Sequence, residues 1–226
     1  MTRTRTMVFG LFLLSAALGL RAAGTYTNPV ISSDAPDPSV INDGDRYYVY
    51  VTGYNCYSST DLVNWGSRTK FYSSADWAPD MYKHTDGKYY LYYTQSGGGG
   101  IGIAVSTSPD GGFSSVRSDM GGIDANFFYD TDGQGYLYRN GVMGMRMSDP
   151  QTPGGSWQSL TSCSQEWERE GSSDYCPNEG PYMVKHGGTY YLMYSGSGWA
   201  GPTYAVGYAT SDSPMGPFTK FEHNPI

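Results

Sequence analysis

Short apolar stretches rich in tyrosine, closed on both sides by turn residues, repeat along the chain. Four share the same make-up: Tyr47-Tyr48-Val49-Tyr50, Tyr89-Tyr90-Leu91-Tyr92-Tyr93, Tyr136-Leu137-Tyr138 and Tyr190-Tyr191-Leu192-Met193-Tyr194. Runs this short, built from aromatic and β-branched residues, predict strands. A glycine-containing turn precedes each one: Asp43-Gly44-Asp45, Thr85-Asp86-Gly87, Thr131-Asp132-Gly133 and Gly187-Gly188. Ahead of each turn lies a second short apolar segment, so each pair predicts a hairpin. After each hairpin comes a polar segment with Ser or Thr, Asp and usually Pro, at 58–65, 106–110, 148–150 and 210–214, which predicts the end of a further strand and an outer loop. The tyrosine-rich strands start at 47, 89, 136 and 190, a period of 42 to 54 residues. No stretch carries a sustained helical period. Strand pairs with an outer return at this spacing predict an all-β propeller. A β-sandwich would account for the short strands but not for the period.

The period also aligns acids. Asp37, Asp80, Asp124 and Glu179 lie 10, 9, 12 and 11 residues ahead of the first tyrosine of their units. Taken singly, an acid beside proline is ordinarily an Asx turn or a strand cap. In a radial repeat, however, equal positions converge near the axis, and these segments are otherwise poor in charge. Two carboxylates held in different environments divide into an acid and a base, which is what cleavage of a glycosidic bond requires.

Composition changes the picture in three places. Residues 1–24 combine Arg3 and Arg5, an apolar run from Val8 to Leu18, and Ala22-Ala23-Gly24. This predicts a secretory signal peptide, too short for a membrane span, and a protein that is secreted or periplasmic with no membrane partner afterwards. Setting it aside removes three arginines and no acid, and the formal charge moves from −7 to −10. Such a chain repels phosphate backbones, which argues against nucleic acid. Uncharged substrates remain open. Of the three cysteines, Cys163 and Cys176 are placed to pair in an exported protein, closing a loop just before Glu179 and leaving Cys56 over. Three cysteines and three histidines without metal-site spacing do not make a zinc site. Gly97-Gly98-Gly99-Gly100 lacks the Lys-Ser/Thr of a phosphate loop and reads as a connection.

Four stretches together are recognisable: Asn28-Pro29-Val30 with Ala35-Pro36-Asp37-Pro38-Ser39-Val40, then Trp77-Ala78-Pro79-Asp80, then Ile123-Asp124 through Asp130-Thr131-Asp132-Gly133, then Glu179-Gly180-Pro181-Tyr182. In this order and at this spacing the chain resembles glycoside hydrolase family 43, over nearly all of residues 25–226. The resemblance implies a five-bladed propeller, about four blades of it in this chain, the last residues falling where another blade would begin. It implies hydrolysis of arabinose- or xylose-containing plant polysaccharides with inversion. Asp37 would be the general base, Glu179 the general acid, and Asp124 the residue that raises the acid's pKa and orients it. Trp77 would line the sugar pocket. Acids at the place of Asp80 need not be catalytic in the family. The family often has Pro where this chain has Ala125. Relatives carry a His near a central cation in the part not matched here, so a structural calcium or other cation at the propeller centre is the one cofactor to look for. The contrasting expectation is a non-catalytic sugar-binding propeller or an inactive fragment of such an enzyme.

Overall fold

A computed structural model describes residues 25–226; the expected leader at 1–24 lies outside the described residues. Four antiparallel sheets follow one another along the chain. Blade I holds β1 (Ser39–Asn42), β2 (Tyr47–Val51), β3 (Asn55–Ser59) and β4 (Thr69–Lys70). Blade II holds β5 (Trp77–Lys83), β6 (Tyr89–Thr94), β7 (Ile101–Ser106) and β8 (Ser114–Arg117). Blade III holds β9 (Asn126–Tyr129), β10 (Gly135–Arg139) and β11 (Met143–Asp149), with the short β12 (Thr152–Pro153) and β13 (Gln158–Ser159) both pairing with β11. Blade IV holds β14 (Glu179–His186), β15 (Thr189–Gly196), β16 (Ala205–Ser211) and β17 (Thr219–Lys220). Each predicted tyrosine-rich strand is the second strand of a blade. Each predicted turn joins it to the innermost strand.

The polar segments after the hairpins end the third strands by one device. The side chains of Ser59, Ser106, Asp149 and Ser211 each accept the backbone N–H two residues on, from Asp61, Ser108, Gln151 and Ser213. That local bond competes with the ladder and turns the chain outward.

Burial explains the blade packing. One core fills the space between blades I and II around Tyr50, Met81, Leu91 and Tyr93. A second joins II and III around Tyr92, Ile103, Phe127 and Leu137, and a third joins III and IV around Tyr138, Met183, Leu192 and Tyr194. A strand sandwiched between two cores must be apolar on both faces. Accordingly every residue of β6 is buried, whereas β15 alternates between buried and half-buried. The outer face of blade IV presents Tyr182, Val184 and Val206 to solvent. Close contacts between inner strands run β1–β5, β5–β9 and β9–β14. Among the described residues no comparable contact joins β14 to β1. The ring as described is therefore four blades with one open side.

Two repeated bonds hold neighbouring blades together. The hydroxyls of Tyr50, Tyr92 and Tyr138 each donate to a proline carbonyl in the outer loop of the next blade: Pro109 at 2.7 Å, Pro150 at 2.6 Å and Pro214 at 2.8 Å. Nearer the axis, the side chains of Ser39, Asp80 and Asn126 each accept a backbone N–H from the next inner strand, that of Met81, Phe127 and Met183 respectively. The tyrosine-rich composition thus has a structural use: each of these buried rings fills a core while its hydroxyl is satisfied across the blade boundary.

Candidate active site

The inter-blade bonds align the four inner strands residue by residue. The equivalent tetrapeptides are Asp37-Pro38-Ser39-Val40, Ala78-Pro79-Asp80-Met81, Asp124-Ala125-Asn126-Phe127 and Gly180-Pro181-Tyr182-Met183. Each opens on a residue in the left-handed region, with φ of 53°, 37°, 59° and 57°. That conformation swings the chain from the loop into the inner strand. Glycine adopts it freely and Asp tolerates it better than most residues; in Ala78 it is strained. Such strain is kept where surrounding structure enforces it, commonly at functional sites.

This alignment corrects the expectation that four acids share one radial position. Only Asp37 and Asp124 are equivalent. Glu179 precedes its equivalent by one residue. Asp80 lies two residues further along, in register with Ser39 and Asn126. Its carboxylate is buried and accepts from Ser39 Oγ at 2.9 Å, Asn126 Nδ2 at 3.2 Å and the Phe127 N–H at 2.7 Å. Burial pushes its carboxyl above the usual range against those hydrogen bonds. Asp80 is a fastener between three blades.

Asp37, Asp124 and Glu179 line one cavity of about 800 Å³, a size suited to a small ligand. Each is held by a neighbour. The Thr52 hydroxyl donates to Asp37 Oδ2 at 2.5 Å and accepts the N–H of Ala78 at 2.8 Å, so blade II braces the carboxylate of blade I. The Asp124 N–H donates to Thr94 Oγ1 at 3.1 Å, and its Oδ2 accepts the N–H of Gly180 at 3.2 Å. Tyr204 donates to Glu179 Oε1 at 2.9 Å. The Tyr204 hydroxyl is pushed up to about 12, chiefly by burial, so it keeps its proton over any working pH. Asp124 is pushed up to about 7, first by burial, then by repulsion from Glu179, with a smaller push from Asp37.

Trp77 is 39% exposed and lines the same cavity. The glycine loop behind it is more than a connection. A Cβ on Gly98, itself at φ 76°, would come within 3.2 Å of the Trp77 ring, so the loop packs directly against the indole.

Cys163 and Cys176 are bonded, and Cys56 is buried and free, both as the sequence suggests. The loop they close carries Glu168, which is completely buried. It pairs with Lys220 at 2.6 Å and accepts from the N–H groups of Ser164 and Gln165, from Tyr194 Oη and from Asn178 Nδ2. The Asn178 carbonyl in turn accepts the N–H of Gly141. The residue before Glu179 is therefore clamped from two sides. Nothing in the sequence flags Glu168, because its partners come from 164 to 220. Thr52 and Thr94 had a visible signal: each stands at the end of its tyrosine-rich strand.

For the cation expected at the centre, the described residues offer no cluster of carboxylate, imidazole or thiol groups. Among the described residues no three His, Cys, Asp or Glu side chains converge. Asp80, the carboxylate facing the axial channel, is already committed to its three donors. The described residues do not fit such a site.

Comparison with known proteins agrees with this geometry. The profile of "Glycosyl hydrolases family 43" matches residues 26–226. A β-D-galactofuranosidase of Aspergillus niger is 30% identical over 85% of this chain and 65% of its own length. A non-reducing end α-L-arabinofuranosidase of Bacteroides ovatus is 29% identical over 99% of this chain and 45% of its own length. The chain thus spans about half to two thirds of these relatives. The crystal structure of a thermostable family-43 glycoside hydrolase superposes with a TM-score of 0.77 at 30% identity, covering 89% of this chain and 77% of the other. Since the profile covers all but one of the described residues, the chain belongs to glycosyl hydrolases family 43.

Proposed function

We propose that the protein is an exported, inverting glycosidase that removes terminal L-arabinofuranosyl or D-xylosyl units from plant polysaccharides or their oligosaccharides. The observation that carries this is the meeting of Asp37, Asp124 and Glu179 in one cavity that also contains Trp77. In this reading Asp37 takes a proton from the attacking water as it adds to the anomeric carbon. Glu179 gives its proton to the departing glycosidic oxygen. Asp124, held against the Gly180 N–H, sits beside the acid and fixes the strand that bears it. Inversion needs room for a water between base and sugar, so the separation of Asp37 and Glu179 belongs at roughly 6.5–9.5 Å. Export is supported by the leader-like residues 1–24 and by the bond between Cys163 and Cys176.

The experiment is hydrolysis of aryl α-L-arabinofuranoside and aryl β-D-xyloside, with the anomer of the first-formed sugar followed by NMR. Turnover of one of them with inversion is expected. Binding of oligosaccharides without any turnover would replace this reading with the non-catalytic one, and retention of configuration would remove the water-activating role of Asp37.

A further inference from the structure

We infer that Trp199 is the platform for the leaving-group sugar. This rests on the hydrolase reading above. Trp199 is 77% exposed, an unusual state for the largest apolar side chain, and it lines the same cavity as Glu179 and Tyr204.

Its loop is built rather than loose. Ser197, at φ 69°, is buried, and its hydroxyl meets that of Thr203 at 2.7 Å. The Gly201 N–H closes a turn onto the Gly198 carbonyl, and the Tyr204 N–H closes another onto Gly201. The Ser197 N–H donates to the Glu168 carbonyl in the disulfide loop. A Cβ on Gly198 would lie 2.4 Å from the Glu170 side chain, so the two loops touch at closest packing. An indole held out into water on a braced loop is pre-organised for a ligand face.

The chemistry decides which part of the ligand it meets. A general acid protonates the oxygen of the departing group, so that group lies on the acid's side of the scissile bond. Glu179 and Trp199 both belong to blade IV, on either side of β15, and Tyr204 from the end of the Trp199 loop donates to Glu179 itself. Trp77 enters from blade II, two blades away. The glycone therefore has Trp77 and the aglycone has Trp199, each offering an aromatic face to the C–H face of a sugar ring.

The test compares glycosyl fluorides, which carry no leaving sugar, with arabino- or xylo-oligosaccharides, in the full-length protein. For Trp199→Ala, kcat/KM on oligosaccharides should fall by about tenfold or more, chiefly through KM, while the fluoride changes by less than about twofold. Trp199→Phe should restore most of the loss. Equal losses on both substrates, or no loss on either, would overturn the inference while leaving the hydrolase reading intact. If the parent protein turns over neither substrate, the hydrolase reading fails, and this inference fails with it.

Discussion

The Asp124 carboxylate accepts the backbone N–H of Gly180, the residue next to Glu179, across 3.2 Å and across the boundary between blades III and IV. Ala78 and Asp124 give the corresponding N–H to threonine hydroxyls, those of Thr52 and Thr94. At the third boundary a carboxylate has taken the hydroxyl's place. One side chain therefore closes an inter-blade link and sets charge beside the proposed acid.

That arrangement has a pH signature. Asp124 is pushed up to about 7, largely by burial and by Glu179. The folded protein therefore binds a proton there that the unfolded chain gives up at roughly pH 4. The folded state holds more protons across that window, so this group's contribution to stability declines as pH rises from about 4 to 7 and stays lost above it. Asp124→Asn should melt higher than the parent at pH 8, with the gap closing below roughly pH 4. Its pH–rate profile should also change shape. Identical melting curves at both pH values would show that the carboxyl is not buried against a neighbour's charge.

Asp37→Asn and Glu179→Gln should each lower turnover of natural oligosaccharides by about a thousandfold, within the span of general acid–base effects. An activated aryl leaving group needs little protonation, so it should recover much of the Glu179→Gln loss and none of the Asp37→Asn loss. Circular dichroism should be unchanged in both. Rates within twofold of the parent would take either residue out of the chemistry.

Tyr204→Phe removes the one side-chain donor found on Glu179 among the described residues. A loosened acid costs orientation more than binding, so kcat should fall by about tenfold with KM little changed. Aryl substrates with good leaving groups should be nearly indifferent to the change. A loss that is equal for poor and good leaving groups would mean that Tyr204 acts on something other than protonation.

Asp80→Ala strands Asn126 Nδ2 and the Phe127 N–H in the interior and takes the acceptor from the Ser39 hydroxyl, which keeps only the Met81 N–H. Unpaired buried polar groups of this kind cost about 3 kcal/mol in total at least. Thermal unfolding should show a drop of several degrees, with whatever activity remains keeping the parent's pH profile. A variant as stable as the parent, with a displaced pH profile, would return Asp80 to the catalytic acids.

Replacing Cys163 and Cys176 by serine frees a loop whose ends lie 13 residues apart in sequence. The expected loss is about 3 kcal/mol by the loop-entropy argument. Because the loop carries Glu168 and touches the Trp199 loop, oligosaccharide turnover should fall along with stability. A non-reduced digest analysed by mass spectrometry reads the bond directly.

Much of the architecture lay in the chain itself. Strand, turn and outer loop are local decisions, and tyrosine runs, Gly turns and Ser/Asp-Pro stops repeat them four times in the open. Asp37, Asp124, Glu179 and Trp77 were legible because they sit next to those signals, in stretches similar to a known family. The register between blades was not legible. Counting back from the tyrosines put Asp80 with the others, because hairpin length differs by a few residues from blade to blade. Only the inter-blade hydrogen bonds, made between residues more than forty apart, set the true alignment and turned Asp80 into a fastener. Glu168, Tyr204 and Trp199 likewise owe their roles to what surrounds them. A buried carboxylate needs partners gathered from several loops, and an exposed indole has meaning only beside a cavity. Local propensity determines the elements, while burial and long-range polar satisfaction determine which side chains face the site.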